Sequence, residues 1–288
     1  MEGILNVLKP CGMSSSDAVV DVRRLTGVKR VGHLGTLDPQ AGGVLPVCVG
    51  RAVRLFDYLV DKRKEYICEL AIGIATDTQD AQGEILSRND RIVCAEEVRA
   101  VLLSFLGEQE QLAPMYSALK YNGKKLYDLA RAGKEIPEKR RTIRIDRLDF
   151  LEQVDTNRFL LRVGCSRGTY IRTLCADIGA ALSMPAHMAF LLRTASGAFS
   201  IEHSYTVSEL ETKKADGTLS DAFVSCEEAV AFLPRLDLKE HRDTATRNGL
   251  PTRVNSEIEG TVRMYCKGIF LGIGTVHSGE AKLIVHLY

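Results

Sequence analysis

Three separated segments hold the side chains with which this chain can do chemistry. Asp38 lies in Gly32-His33-Leu34-Gly35-Thr36-Leu37-Asp38-Pro39-Gln40-Ala41-Gly42-Gly43, a stretch with no hydrophobic period. Pro39 biases Asp38 toward extended backbone and away from helix, and the glycines let another backbone or a ligand come close. A carboxylate held in this way can act as a nucleophile or a general base; an Asp-Pro pair also makes an ordinary turn in which the carboxylate bonds its own backbone. Arg172 lies in Ser166-Arg167-Gly168-Thr169-Tyr170-Ile171-Arg172-Thr173, at the start of a helix. Its guanidinium can answer a carboxylate from another segment, or stand as a surface charge. Two unit charges about 4 Å apart attract by about 4 kcal/mol at an effective dielectric near 20. Tyr66 follows Lys64-Glu65 at the opening of a strand, where a ring can fill a core or offer a platform on which a base stacks. His33 can donate to a phosphate or a base, or order its own loop.

The elements that must place these residues are read from periodicity. Ile4–Leu8 is a short apolar strand ending at Lys9-Pro10. Ser14, Ser15 and Ser16 offer helix N-caps, Asp17 suits the first turn, and Ala18, Val22 and Leu25 recur at helical spacing before Gly27. After the Gly-rich loop, Val44–Val49 is a buried strand, and Arg51–Val60 a helix with Val53, Phe56 and Val60 on one face. Tyr66–Ile74 alternates as a strand with both faces covered. Glu96–Leu106 predicts an amphipathic helix ended by Gly107, and Lys124–Ala132 another closed by Gly133. Thr142–Phe150 and Arg158–Val163 predict paired strands, and Thr169–Leu182 a helix with Ile171, Leu174, Cys175 and Ile178 inward. Residues 261–276 predict a hairpin turning at Lys267-Gly268, and Leu283–Tyr288 a terminal strand. Strands and helices do not alternate regularly, so a mixed sheet with flanking helices is expected.

The 288 residues suffice for one large and one small domain; 45% are hydrophobic and 26% charged, as in a globular protein. No run approaches the roughly 20 apolar residues that span a bilayer, and the first residues lack a signal-peptide pattern; the cytoplasm is the expected location. The eight cysteines form no Cys-x-x-Cys pair and no zinc-finger spacing, which predicts reduced core thiols and no metal site. The net charge of +1 is neutral about nucleic acid, but basic clusters recur at Lys29-Arg30, Lys62-Arg63-Lys64, Lys120 to Lys125 and Lys139-Arg140-Arg141, as solvated faces or phosphate contacts. Walker A, dinucleotide-binding and Gly-x-Ser-x-Gly motifs are absent, so chemistry without a cofactor is expected.

Several blocks together resemble those of the bacterial tRNA pseudouridine-55 synthases, the TruB family, and in that family's order. Gly32 to Pro39 followed by Ala41-Gly42-Gly43-Val44-Leu45-Pro46 resembles its catalytic-Asp motif. Leu8-Lys9-Pro10-Cys11-Gly12-Met13-Ser14-Ser15 resembles its N-terminal motif, and Lys64-Glu65-Tyr66 with Thr76-Asp77-Thr78 its Tyr motif. Pro114 to Lys120 with Gly123 to Arg131, Ser166 to Leu174, and Ala186-His187 to Thr194 resemble three further blocks. The likeness is strong over roughly the first 200 residues and weak in the tail. In Leu191-Leu192-Arg193-Thr194 one of the two arginines frequent in the family is missing, so that one RNA-facing charge is either lost or carried elsewhere.

The resemblance implies an α+β pseudouridine synthase fold, a mixed, mostly antiparallel sheet flanked by helices, over residues 1–233, and a small β-rich PUA-like RNA-binding domain over 234–288. It implies a cofactor-free isomerisation of the T-loop uridine at position 55 of tRNA, with the base flipped out of its stack. Asp38 is then the attacking residue, Tyr66 stacks on the flipped base and serves in proton transfer, and Arg172 pairs with Asp38. His33, Lys9, Asp77, Tyr170 and Leu191 are the implied substrate-binding residues. The tRNA T-stem-loop is the implied partner, with no membrane and no obligate protein partner, the chain acting as a monomer. Two other classes share part of the pattern: a non-catalytic RNA-binding protein on the same scaffold, and an Asp-nucleophile hydrolase of small substrates.

Overall fold

The computed structural model describes residues 1–60, 62–114, 120–121, 124–125, 140–255 and 257–288. In chain order the strands are β1 (Gly3–Lys9), β2 (Val31–His33), β3 (Gly42–Val49), β4 (Lys64–Ile72), β5 (Ile74–Thr76), β6 (Ile85–Arg88) and β7 (Gly107–Leu112). There follow β8 (Lys120–Tyr121), β9 (Lys124–Lys125), β10 (Arg140–Asp155), β11 (Arg158–Cys165), β12 (Ala186–Ser196), β13 (Phe199–Ser200) and β14 (Phe223–Val224). The last are β15 (Arg235–Leu238), β16 (Thr252–Arg253), β17 (Gly260–Cys266), β18 (Ile269–His277) and β19 (Glu280–His286). The helices among the described residues are α1 (Ser15–Thr26), α2 (Phe56–Leu59), α3 (Ala95–Leu102), α4 (Ile171–Ala181), α5 (Val207–Ala215), α6 (Cys226–Ala229) and α7 (Asp243–Arg247). None of them is long and apolar enough to cross a membrane. The chain divides into two compact units, one of Met1–Asp38, Val44–Asp61 and Ala198–Tyr288, the other of Pro39–Gly43 and Lys62–Gly197.

In the first unit α1 forms as its caps predict. The Ser14 side chain accepts from the Asp17 amide, the Asp17 side chain accepts in return from the Ser14 amide, and Gly27 ends the helix. Ala18, Val19, Val22 and Leu25 then pack on Leu5, Val7, Leu45, Val47 and Val49 of β1 and β3. The expected helix over Arg51–Val60 is instead a 3-10 turn over Gly50–Leu55 followed by the single turn α2. Three residues per turn put Ala52 and Leu55 inward, and Leu59 follows, while Phe56 is exposed. Of the expected face, Val60 is buried and Val53 packs partly buried against the same core, and Phe56 alone turns outward.

At the C-terminal end five strands pair in the order β15-β17-β18-β19-β16. The expected hairpin is present: Cys266 faces Ile269 across a two-residue turn in which Lys267 and Gly268 take φ of 53° and 73°, the conformation that matches strand twist. Leu236, Leu238, Val262, Met264, Leu271, Val276 and Leu283 close an apolar interior. Ile273 and Leu287 pack on Ile4, Val44 and Leu55.

In the second unit the strands run β12-β4-β11-β10-β7, each antiparallel to the next, while β12 runs parallel to the start of β3 through Leu192↔Gly42 and Arg193↔Gly43. This is the mixed, mostly antiparallel α+β architecture expected. Gly43 cannot be replaced without movement: its φ is +110°, and a Cβ there would lie 2.2 Å from the Arg193 carbonyl oxygen. β10 and β11 pair as expected, and α4 buries Ile171, Leu174, Cys175 and Ile178, with Arg172 and Thr173 also buried. The helix expected over Glu96–Leu106 stops at Leu102, and Gly107 opens β7 rather than capping it. The block Pro114 to Lys120 and the helix expected from Lys124 to Ala132 lie outside the described residues, except that Lys124–Lys125 form a strand.

Candidate active site

Strand period brings the expected residues of the second unit together. Tyr66 on β4 faces Arg193 on β12, and two residues further along Cys68 faces Leu191. Alternation puts all four side chains on one face of the sheet. Cys68 is hydrogen-bonded to Cys175 of α4, so this is the face that α4 covers, and Arg172 sits one turn before Cys175 on that helix. Tyr66 is half-buried and Leu191 buried. The Cys68 contact and burial together push the Cys175 thiol well above its usual range, and burial pushes Cys165 to about 11; these are core thiols, as expected. Of the eight cysteines, all free, Cys11 and Cys94 are exposed.

Arg172 is 6% exposed, so the alternative of a surface charge does not hold. Its Nη1 donates to the Thr78 carbonyl at 3.1 Å and lies 3.7 Å from Asp80 Oδ2. A buried guanidinium needs such partners, because an uncompensated charge in a protein interior costs several kcal/mol. The Thr76–Gly83 turn that supplies them is itself locked. The Thr76 hydroxyl donates to the Asp80 carbonyl at 2.7 Å, and Thr78 Oγ1 and the Gln82 amide donate to Asp80 Oδ1 at 2.6 and 3.0 Å. The Thr173 hydroxyl, next to Arg172, donates to Gln79 Oε1 at 2.9 Å, and Gln79 takes a φ of 61°. Asp77 Oδ1 accepts from the Glu84 amide at 2.8 Å, closing the same turn. The carboxylate of the turn that stands beside Arg172 is that of Asp80, which the sequence did not single out.

Tyr170 caps α4 and is held by its backbone: its amide donates to Gln111 Oε1 at 2.8 Å, and Gln111 Nε2 donates back to its carbonyl at 3.0 Å. Arg141 donates to the Gly168 carbonyl at 2.9 Å and stands 5.7 Å from the centre of the Tyr170 ring. Two members of the basic clusters therefore serve the fold: Arg141, half-buried, holds the loop before α4, and Lys64 is buried, donating to the Lys62 carbonyl at 2.7 Å. Arg193 is 1% exposed and hydrogen-bonded to Tyr66; burial pulls its pKa below the usual range, and the Tyr66 contact opposes that shift.

Three expected residues belong to the first unit. Lys9 is buried, and its ammonium donates to the Pro10 and Met13 carbonyls at 2.8 and 2.7 Å, shaping the entry to α1. His33 belongs to β2, opposite Val47, so the Gly-rich segment begins as a strand rather than a loop. Asp38 is half-buried and follows Leu37, which is buried. Ser15 fixes that neighbour at both ends: the Leu37 amide donates to Ser15 Oγ at 2.8 Å, and Oγ donates to the Leu37 carbonyl at 2.9 Å. Ser15 is read from sequence only as a candidate cap, whereas Ser14 caps α1 and Ser15 clamps the Asp38 loop. Among the described residues no group of three or more His, Cys, Asp or Glu is arranged to hold a metal ion.

Residues 23–171 match the model of the TruB family pseudouridylate synthase N-terminal domain, and residues 172–231 that of the tRNA pseudouridylate synthase B C-terminal domain. The chain is 43% identical to the tRNA pseudouridine synthase B of Geobacillus thermodenitrificans, over 91% of its own length and 90% of the relative's. It is 41% identical to that of Alkaliphilus oremlandii, over 97% and 95%. Among solved structures it is similar to a chain of a Cbf5-Nop10-Gar1 complex (TM-score 0.72, 28% identity, 95% of this chain and 78% of that one). It is similar also to a chain of an archaeal box H/ACA sRNP Nop10-Cbf5 complex (TM-score 0.71, 29% identity, 95% and 78%).

Proposed function

The chain belongs to the TruB family of pseudouridylate synthases, isomerases by class, and from that premise we propose that it converts the T-loop uridine at position 55 of tRNA to pseudouridine. The reaction breaks the bond from the ribose C1′ to the ring N1 and forms one from C1′ to C5. N1 gains a proton as C5 loses one, so no redox equivalent and no water is consumed. On this reading Asp38 is the attacking carboxylate and Arg172 the cation that answers its charge. Tyr66 stacks on the extruded base and takes part in moving the C5 proton, and Leu191 lines the apolar wall beside it. Extrusion costs a few kcal/mol, which an aromatic platform and basic contacts to the phosphates offset. His33, Lys9, Asp77 and Tyr170 shape the loops around the RNA. We assign residues 1–233 to catalysis and 234–288 to RNA binding. A cleft there is lined by Lys239, His241, Arg242 and Arg253, with Asp237 and Glu280. The protein acts on tRNA as a cytoplasmic monomer.

The observation that carries this reading is the face on which Tyr66, Leu191 and the helix of Arg172 meet, each from a block that resembles the family. The test is to map pseudouridine in unmodified T-stem-loop RNA after exposure to the purified protein and to its Asp38→Asn variant. The wild type forms one pseudouridine at the T-loop uridine with multiple turnovers, and Asp38→Asn loses at least about 10³-fold in rate while still binding. Near-wild-type tritium release by Asp38→Asn would reject the role of Asp38, and modification elsewhere would reject the site in tRNA.

A further inference from the structure

Arg193 is among the largest side chains of the protein to be fully buried, at 1% exposure. It does not lie where a phosphate can reach it. β12 is bracketed at this point: Arg193 faces Tyr66 of β4 on one side and Gly43 on the other. Its backbone is fixed, since the Gly43 position tolerates no side chain against the Arg193 carbonyl. The next residue is fixed too, Thr194 Oγ1 donating to Glu65 Oε1 at 3.1 Å beside Tyr66. From this anchored position the guanidinium hydrogen-bonds the Tyr66 side chain.

The direction of that bond follows from the groups. A guanidinium has five donors and no acceptor, so Arg193 donates and the phenolic oxygen accepts. One lone pair of Tyr66 is thereby occupied, and its own O–H must point away from Arg193. A buried guanidinium that gives a donor to a phenolic oxygen fixes where that oxygen stands, because a polar contact held inside the protein sets direction. We infer that Arg193 is a positioning residue for the isomerisation: it aims the Tyr66 hydroxyl and holds its oxygen while that oxygen exchanges a proton. This rests on the proposed role of Tyr66, and the experiment separates the two.

Single-turnover rates and RNA dissociation constants are measured on T-stem-loop RNA for wild type, Arg193→Gln, Arg193→Lys, Tyr66→Phe and the two double variants. General acid–base assistance is worth about 10²–10⁴-fold, and misaiming its donor forfeits part of it. Arg193→Gln is expected to slow the chemical step by about 10- to 100-fold, with binding changed less than about 3-fold, and Arg193→Lys to recover part of the rate. In the Tyr66→Phe background the Arg193 substitutions are expected to have little further effect, since coupled residues are not additive. Equal rate losses in both backgrounds, or a loss in RNA affinity at unchanged rate, would overturn the inference. If Arg193→Gln does not fold, Arg193→Lys carries the same comparison. If Tyr66→Phe leaves no measurable rate, the split between rate and affinity decides. A wild-type protein that forms no pseudouridine, or an Asp38→Asn variant that does, rejects the catalytic reading instead and leaves the Arg193 to Tyr66 bond untouched.

Discussion

The five-stranded sheet at the C-terminal end and the face of the second unit that carries Tyr66 are both dry, and they are dry by different means. The interior of the sheet is dominated by Leu236, Leu238, Val262, Met264, Leu271, Val276 and Leu283, and its strand β16 buries one polar side chain, Thr252. The second unit buries Arg172, Thr173, His187, Arg193 and Gln111 among its apolar residues. Each is met by a named partner: Arg172 by Thr78 and Asp80, Thr173 by Gln79, His187 by the Ile74 carbonyl, Arg193 by Tyr66, Gln111 by Tyr170. Apolar burial stabilises in proportion to area and fixes little else, whereas a buried polar network costs desolvation and fixes direction. The first region is built to be stable and the second to hold groups at set angles.

That contrast predicts which substitutions separate stability from activity. The largest change in stability is expected from Leu271→Ala, at 0% exposure in the C-terminal interior: about 4 kcal/mol from lost burial and the cavity left behind, read from urea unfolding. The rate of the chemical step in the folded protein is expected to stay at the wild-type value, and a rate falling at constant folded fraction would break the contrast. Next is Asp80→Ala. It removes the carboxylate beside the buried Arg172 guanidinium, so about 3 kcal/mol of stability is expected to go, and activity with it. An Asp80→Ala protein as active as wild type would show that the turn does not hold Arg172 for catalysis. Tyr66→Phe is expected to cost about 2 kcal/mol of stability, because a donor of the buried Arg193 guanidinium loses its acceptor, and to slow the reaction by about 100-fold, or about 2.7 kcal/mol, because the ring still stacks and the hydroxyl is gone. A loss of RNA affinity at normal turnover would place Tyr66 in binding alone.

The same contrast decides what could be read from the sequence. The β17–β18 hairpin was legible because its signals are local: a period of two and a Lys-Gly turn. The first helix was legible from Ser14, Asp17 and Gly27 within one stretch. The 3-10 turn over Gly50–Leu55 was not, because Ala52 and Leu55 fit a helix of either pitch until packing chooses. Asp38, Tyr66 and Arg172 were found through blocks that resemble a family, and from chemistry alone each had an ordinary reading beside the functional one. The residues that sequence reasoning missed act at long range. Asp80 meets a residue 92 positions away, Gln111 one 59 positions away and Ser15 one 22 positions away. A lone polar residue carries no sign of such a partner, and a polar position in a strand reads as facing water, as Arg193 does until its burial is seen.

The smallest expected effect sharpens the contrast from its stable side. Gly268 has φ +73° and open space around the position a Cβ would take. Gly268→Ala therefore meets no neighbour, and its cost is that of the backbone alone, about 1 kcal/mol for an L residue held in the left-handed region. The loss should appear in urea unfolding with an unchanged slope and with no change in rate or RNA affinity. A cost near 4 kcal/mol, like that of the core substitution, would mean that the turn fixes the register of the whole sheet, since a slip of one residue moves every side chain of a strand to its other face. A cost near zero would mean that the packing of Val262, Met264 and Leu271 sets the register by itself, with the turn merely following.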